Sequence, residues 1–332
     1  MVMPTMLLCA DIGGTNTKLA LFRPGATPEL VGVERHASAG VDDLGALFAD
    51  FAARGSRSLD AACLGVAGPV VGDHVDTTNL PWHIDARALG ARLGNVPVFL
   101  LNDLEALAYG VPSLRDDGVA TLQAVPGDPT GTIAVIAAGT GLGEAGLVWD
   151  GRRRRTLSSE GGHADFAPRT EREIALLRHL LERWPHVSWE RVVSGPGIVN
   201  LFEYVRDVER LDVPPALADA MAAGDAAAAI TGAGLARTAP IATATLDLFA
   251  TLYGAEAGNL ALKLKALGGV YVGGGIAPKV LEKLRDGTFI EAFRAKGRFR
   301  DLLESIPVHV IINPHTALHG AARFATERLA ER

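Results

Sequence analysis

A glycine-rich turn occurs twice in this chain, each time between two apolar, β-branched runs, and that repetition narrows the folds open to it. The first is Asp11-Ile12-Gly13-Gly14-Thr15-Asn16, between residues 7–10 and 18–22. The second is Gly139-Thr140-Gly141-Leu142-Gly143, between residues 133–138 and 145–149. Strand, glycine turn and strand predict a β-hairpin whose tip carries almost no side chains. Backbone amides at such a tip can surround an anion, and the hydroxyls of Thr15 and Thr140 add donors. Two such tips, far apart in sequence, predict two similar lobes holding one polyphosphate from both sides. A nucleotide-dependent phosphotransferase has that requirement.

The rest of the chain fits two α/β domains, and 332 residues are enough for a core in each. Residues 42–54 have helical spacing, with Leu44, Leu47, Phe48 and Phe51 on one face. Residues 61–67 read as a buried strand stopped by Gly68-Pro69, 84–93 as a helix, and 97–101 as a second buried strand. A further helix follows at 105–109 and ends at Pro112. Strands alternating with helices predict a mainly parallel sheet covered by helices. Residues 115–130 hold Gly118, Gly127 and two prolines, and a domain crossing is expected near the start of that segment. We expect a small α/β domain over residues 1–112 and a large α/β domain over 113–313, with a C-terminal helix in 314–332 completing the first. Within the second, residues 171–183 and 195–208 read as helices, as do the Ala-rich stretches 216–229 and 241–267. A buried strand at 268–272 leads into Gly273-Gly274-Gly275, after which Pro278 is expected to open a helix; 308–312 is a last short strand.

Composition removes several classes of function. The net charge of −6 argues against nucleic acid or an anionic membrane as the main partner. No window approaches about 18 uninterrupted apolar residues, so no membrane span is expected. The first residues lack a basic stretch followed by an apolar one, so the expected compartment is the cytoplasm. Cys9 and Cys63 lie in apolar strand-like runs and read as buried, reduced thiols. The chain has no Gly-x-x-x-x-Gly-Lys-Ser/Thr phosphate loop, no dinucleotide fingerprint opening a helix, and no Gly-x-Ser-x-Gly elbow.

The polar residues that stand out lie beside these turns. Asp11 ends an apolar strand, where a carboxylate has little structural reason to be but could hold a water of a phosphate-bound Mg²⁺. Gly273, Gly274 and Gly275 would let the backbone pass close to a nucleoside. Asn102-Asp103 follows a strand and precedes a helix, so either residue suits a helix cap. The same place, the carboxyl end of a parallel strand, is where α/β folds bind ligands. There Asp103 could take the proton of an attacking hydroxyl while Asn102 fixes the substrate. Glu160-Gly161-Gly162-His163 places a carboxylate and an imidazole on one tight loop, suited to the adjacent hydroxyls of a sugar. A surface turn is the plainer alternative, and zinc is disfavoured because no Cys or His with ligand spacing follows His163. Glu190 could begin a helix or face a ligand. The run Arg152 to Arg155 reads as a solvated turn.

Taken in order, these motifs resemble the bacterial glucokinase family, relatives of hexokinases. The resemblance covers residues 11–16, Thr78-Asn79 with Trp82, Asn102-Asp103, 139–143, Glu160 to His163 continuing as Asp165-Phe166-Ala167-Pro168, Ser194-Gly195-Pro196-Gly197, and 273–276. It implies a two-lobed actin-like ATPase (ribonuclease H-like) fold with nucleotide and sugar in the cleft between lobes. It implies that glucose is bound by Asn79, Asn102, Asp103, Glu160, His163 and Glu190, with Asp103 as general base. It further implies that ATP, with Mg²⁺, is bound by Asp11, Gly13, Gly14, Thr15, Asn16, Gly139, Thr140, Gly141, Gly273, Gly274 and Gly275. A cytoplasmic homodimer acting at the entry to glycolysis is expected, in the branch without the cysteine-rich zinc motif of the ROK (repressor/kinase) sugar kinases. The alternatives are a kinase for fructose, mannose or an N-acetylhexosamine, a non-catalytic sugar sensor, and a phosphatase of the same superfamily.

Overall fold

The computed structural model describes residues 5–54, 58–77 and 81–331, so Asn79 lies outside the described residues. The chain divides into two compact units. One comprises Met1–Gly118, Arg152–Leu157 and Asn313–Arg332; the other comprises Val119–Gly151 and Ser158–Ile312.

The first unit begins with β1 (Met6–Ile12), β2 (Asn16–Arg23), β3 (Glu29–Ala37), α1 (Leu44–Arg54) and β4 (Leu59–Val66). The short strands β5 (Val70–Val71), β6 (His74–Asp76) and β7 (His83–Asp85) form a separate three-stranded sheet, and α2 (Ala86–Arg92), β8 (Val98–Asn102) and α3 (Asp103–Gly110) follow. The main sheet has the order β3-β2-β1-β4-β8. Its β1–β2 pair is the expected antiparallel hairpin, while β4 and β8 join in parallel. β3 has no counterpart in the sequence reading because most of its residues are exposed and Gly32 interrupts its apolar pattern. The helix expected from residue 84 starts instead at Ala86, because Ile84 pairs with Val75 and Asp85 caps the helix through Arg87 N and Ala88 N.

The second unit contains β9 (Val119–Gln123), β10 (Ile133–Ala138), β11 (Leu142–Trp149) and β12 (Arg154–Ser159), the last beginning in residues that cluster with the first unit. Helices α4 (Glu171–Leu181), α5 (Gly195–Asp207), α6 (Pro215–Ala223), α7 (Ala226–Leu235) and α8 (Pro240–Leu264) come next. Then follow β13 (Gly269–Gly273), α9 (Leu281–Arg285), α10 (Thr288–Arg294), α11 (Arg300–Glu304) and β14 (Val308–Ile311), before the chain ends in α12 (Thr316–Leu329). The sheet order is β12-β11-β10-β13-β14-β9. Once more an antiparallel hairpin, β10–β11, continues into parallel strands, β13 and β14. The two units therefore repeat one topology, with β1, β2, β4 and β8 matched by β10, β11, β13 and β14.

Helix α12 belongs to the first unit. Leu318, Ala321, Ala322 and Ala325 complete a core with Leu7, Cys9, Phe22, Ala61 and Cys63. The approach to α3 is so close that a Cβ on Gly320 would overlap the carbonyl oxygen of Ala106. Both thiols are free and fully buried, and burial pushes Cys9 and Cys63 far above the ordinary thiol range.

Four local expectations are corrected. Pro278 does not open a helix: Ile276 N is held by Ala138 O (3.2 Å), the segment stays in turns, and α9 begins at Leu281. The Ala-rich stretch 216–229 is two helices, broken at Gly224, with Asp225 capping the second. Residues 115–130 contain a strand that has no counterpart in the sequence reading, β9, which pairs antiparallel with β14 just after the chain passes from the first unit to the second at Gly118. Arg152 to Arg155 is a solvated turn only in part: Arg152 is exposed in a bend after β11, but Arg154 is buried in β12, and Arg153 pairs with Glu331 near the end of α12. Among the described residues no helix is long and apolar enough to cross a membrane.

Candidate functional site

In the first unit the β1–β2 register closes at Ile12↔Thr17, which leaves Gly13, Gly14, Thr15 and Asn16 at the tip. Gly14 and Thr15 are exposed, as an anion-binding loop requires. Gly13 N donates to Asn16 O (3.0 Å), and Arg35 Nε donates to Asn16 Oδ1 (2.9 Å). A brace that sequence reasoning missed holds the back of the tip. Ser38 N donates to Thr15 O (3.0 Å), Ser38 Oγ donates to Gly13 O (2.7 Å), and Thr17 Oγ1 lies 3.1 Å from Ser38 Oγ. Ser38 and Thr17 are both buried.

Asp11 Oδ2 accepts from Lys18 Nζ at 3.0 Å, and Lys18 Nζ also donates to Pro314 O at 3.1 Å. Asp11 Oδ1 has no partner among the described residues, and the side chain is 22% exposed, so one oxygen can receive a water. One carboxylate oxygen beside a phosphate loop fits Mg²⁺, which keeps most of its waters and uses few protein ligands.

Asn102 and Asp103 join β8 to α3. Asn102 Oδ1 accepts from Leu104 N (2.9 Å), Glu105 Oε2 accepts from Asn102 N (3.2 Å), and the two bonds form a capping box. Asn102 Nδ2 also donates to Gly68 O (3.1 Å), which pins the turn after β4. Asp103 is the first residue of α3, half-buried, and its Oδ1 accepts from Leu104 N (2.9 Å).

In the second unit β10 and β11 pair as far as Ala138↔Leu142, leaving Gly139, Thr140 and Gly141 at the tip. Gly139 N donates to Gly141 O (2.8 Å), and Gly195 N, at the start of α5, donates to Gly139 O (2.8 Å). Gly273 ends β13 opposite Ala137, and Gly274 turns the chain with a φ of 83°. Gly275 follows, exposed. Tyr253 of α8, also missed from sequence, ties the two glycine turns together. Its fully buried hydroxyl receives Ala138 N (3.1 Å) and reaches both Ile136 O and Gly273 O at 3.3 Å. Burial pushes the phenol well above its ordinary value.

Glu160 precedes a single 3-10 turn, Gly161–His163, and is exposed. The two glycines are there for room. A Cβ on Gly161 would overlap Glu144 Oε2, and one on Gly162 would overlap Leu142 O. His163 is 59% exposed, with Nδ1 3.9 Å from Glu190 Oε1. Glu190 starts no long helix. It sits in a 3-10 turn, Trp189–Arg191, anchored by the buried Trp189, whose ring meets Phe166 edge-to-face at 5.0 Å. Glu190 Oε2 accepts from Leu142 N (3.0 Å), and a Cβ on Gly141 would lie 2.5 Å from that oxygen. His163 and Glu190 thus meet directly beside the β10–β11 tip. Asp103 lies in the other unit.

Glu144, three residues past that tip, is an unusual carboxyl. It is 1% exposed, and burial together with the neighbouring Glu256 pushes it up to about 8. A charged residue inside an apolar strand was the available signal, lost because the strand was read from Ala145 onward.

A family model described as Glucokinase matches residues 8–328. A curated glucokinase from Trichormus variabilis is 42% identical over 338 residues, covering 97% of this chain and 99% of that protein. Among solved structures, a glucokinase from an Antarctic psychrotroph superposes with a TM-score of 0.84 at 32% identity, covering 96% of this chain and 98% of that one. A Balamuthia mandrillaris glucokinase, solved in complex with glucose, shares the fold at a TM-score of 0.75 and 24% identity, covering 98% and 94%.

Proposed function

The chain belongs to the glucokinase family, and from that premise we propose how its residues divide the work of phosphorylating glucose with ATP. As a glucokinase it moves the γ-phosphoryl group of ATP onto glucose, and the product is glucose 6-phosphate. Asp103 takes the proton of the attacking 6-hydroxyl, a contribution worth about 10²–10⁴ in rate for a well-placed base. Its position at the start of α3 fixes where that carboxylate stands.

Glu160, His163 and Glu190, with Asn102 and Asn79, hydrogen-bond the hydroxyls that do not react. A site built to bond each hydroxyl rejects sugars that lack one, because the polar groups that the sugar covers are then left unpaired. Gly13, Gly14, Thr15 and Asn16 supply backbone donors to the phosphates, as do Gly139, Thr140 and Gly141. Gly273, Gly274 and Gly275 let the backbone lie against the nucleoside. Asp11 would hold a water of Mg²⁺, whose charge offsets that of the phosphates.

One observation carries the reading: Glu190 bonds Leu142 N with one carboxylate oxygen and faces His163 with the other. The sugar-binding turn and the phosphate-binding tip are therefore held in one register. Phosphoryl transfer depends on such positioning more than on covalent chemistry. We further place the enzyme in the cytoplasm, as a homodimer at the entry to glycolysis, following its family.

The test is ADP release in a coupled assay with Mg·ATP and glucose, mannose, fructose, glucosamine or N-acetylglucosamine. We expect kcat/KM to be highest for glucose, with activity lost in EDTA and restored by Mg²⁺ alone. Preferred turnover of another sugar would overturn the roles given to Glu160, His163 and Glu190.

A further inference from the structure

Beneath the turn that carries His163 lies a buried polar cluster to which the phosphorylation reaction itself gives no role. Glu144 of β11 and Glu256 of α8 are 1% and 0% exposed, and their carboxyl groups are neighbours, Glu256 helping to raise that of Glu144. Two carboxyl groups bond only through a proton that one of them carries. Glu144 Oε1 is buried with no donor among the described residues, so a proton on this carboxyl resolves an otherwise costly orphan. Glu256 is already served, by Lys263 Nζ on Oε1 (3.1 Å) and by Asn259 Nδ2 on Oε2 (2.7 Å). Lys296 Nζ closes the cluster on Asn259 Oδ1 (2.5 Å) and Ala255 O (2.8 Å). The extra proton therefore belongs on Glu144.

The position of this acid matters because its Oε2 lies where a side chain on Gly161 would be. Gly161 opens the turn, and His163 N closes back on Glu160 O (3.0 Å). We propose that Glu144 is a positioning residue for the sugar-binding turn, a neutral carboxylic acid wedged between Gly161 and Glu256 that sets the height of His163. This rests on the reading of His163 as a glucose ligand. A Glu144 carboxylate would set a second buried negative charge beside Glu256 against the single Lys263 ammonium, and we expect the turn above it to shift in response.

The other charged groups around it are accounted for. Lys263 lowers the Glu144 carboxyl, and Tyr253 is the remaining titratable neighbour. Lys296, held down to about 8 by burial and then by Arg169, titrates in the same alkaline range, so a pH profile of the unaltered protein cannot stand alone. Glu144→Gln separates the two, since an amide keeps the size and a donor toward Glu256 but cannot ionise.

The experiment measures glucose KM, ATP KM and kcat from about pH 6 to about pH 9.5 for the unaltered chain, Glu144→Gln, Glu144→Leu and His163→Ala. We expect Glu144→Leu to raise glucose KM about tenfold with kcat and ATP KM within about twofold, and Glu144→Gln to restore it near neutral pH. In the unaltered chain glucose KM climbs above about pH 8, and in Glu144→Gln that climb is gone. An alkaline climb that persists in Glu144→Gln overturns the proposal, as does an unchanged glucose KM in Glu144→Leu. Should Glu144→Leu fail to fold, the Glu144→Gln profile still decides. If His163→Ala leaves glucose KM unchanged, the sugar-site reading itself has failed. If His163→Ala raises it and the Glu144 variants do not, only the present inference has.

Discussion

Lys18 Nζ lies 3.0 Å from Asp11 Oδ2, the two residues facing each other in register across β1 and β2 at the base of the first glycine tip. At 27% and 22% side-chain exposure the pair is partly screened, and such a pair contributes about 1 kcal/mol or less to stability. Its consequence is for binding. Without the ammonium group, an uncompensated carboxylate would stand beside the tip proposed to hold the phosphates. Lys18→Met should raise ATP KM about tenfold while glucose KM and thermal stability stay nearly constant, a split read directly from steady-state kinetics. An unchanged ATP KM would detach Lys18 from the nucleotide.

Asn102, not Asp103, forms the capping box with Glu105, so the start of α3 stays capped without the Asp103 carboxylate. Asp103→Ala should therefore fold normally and lower kcat by at least about 10², with glucose affinity falling far less. Near-normal kcat in a correctly folded Asp103→Ala would remove it as the base.

Tyr253 bonds the ends of β10 and β13, the strands that lead into the two glycine turns of the second unit. Phenylalanine there leaves Ala138 N buried without an acceptor, at a cost of about 1–3 kcal/mol. Tyr253→Phe should lower the Tm and raise ATP KM, leaving glucose KM less affected. Equal effects on both substrates would mean that the hydroxyl supports the unit as a whole rather than its nucleotide side.

Gly320 packs α12 on α3 without space for a methyl group against Ala106 O. Gly320→Ala must separate the helices, and overpacking of this kind costs about 1–3 kcal/mol. Chemical denaturation should show that loss with an unchanged m-value. A stabilised Gly320→Ala, as helix propensity alone predicts, would show that the contact relaxes freely.

Both hairpins were legible because each glycine-rich tip stands between two apolar runs, and helices such as α4 and α5 because an apolar face repeats. β3 was illegible since an exposed edge strand needs no apolar face. Glu190 was ambiguous for a tertiary reason: its fixing partner, Leu142 N, lies far away in sequence. Ser38, Glu144 and Tyr253 share that difficulty, for each acts through an atom of a distant strand or turn. The residues expected to touch substrate stand in local patterns; those that hold them in place do not.

Protonation of Glu144 also leaves a mark on stability that is independent of any substrate. Its carboxyl ordinarily titrates at 4.5 and is raised to about 8 in the folded chain, chiefly by burial. Between those values the folded state keeps a proton that the unfolded chain has released, so stability falls as pH rises. The contribution is complete below 4.5 and lost once pH passes about 8. Lys296 has the opposite sign and another window. Its ordinary 10.5 is depressed to about 8, so it adds stability as pH climbs through that range. Glu144→Gln removes the first slope and leaves the second. The Tm of Glu144→Gln relative to the unaltered chain should therefore grow from about pH 5 to about pH 8 and then stay level. Thermal unfolding across that range checks it; a difference independent of pH would mean that Glu144 ionises in the folded chain as it does in the unfolded one.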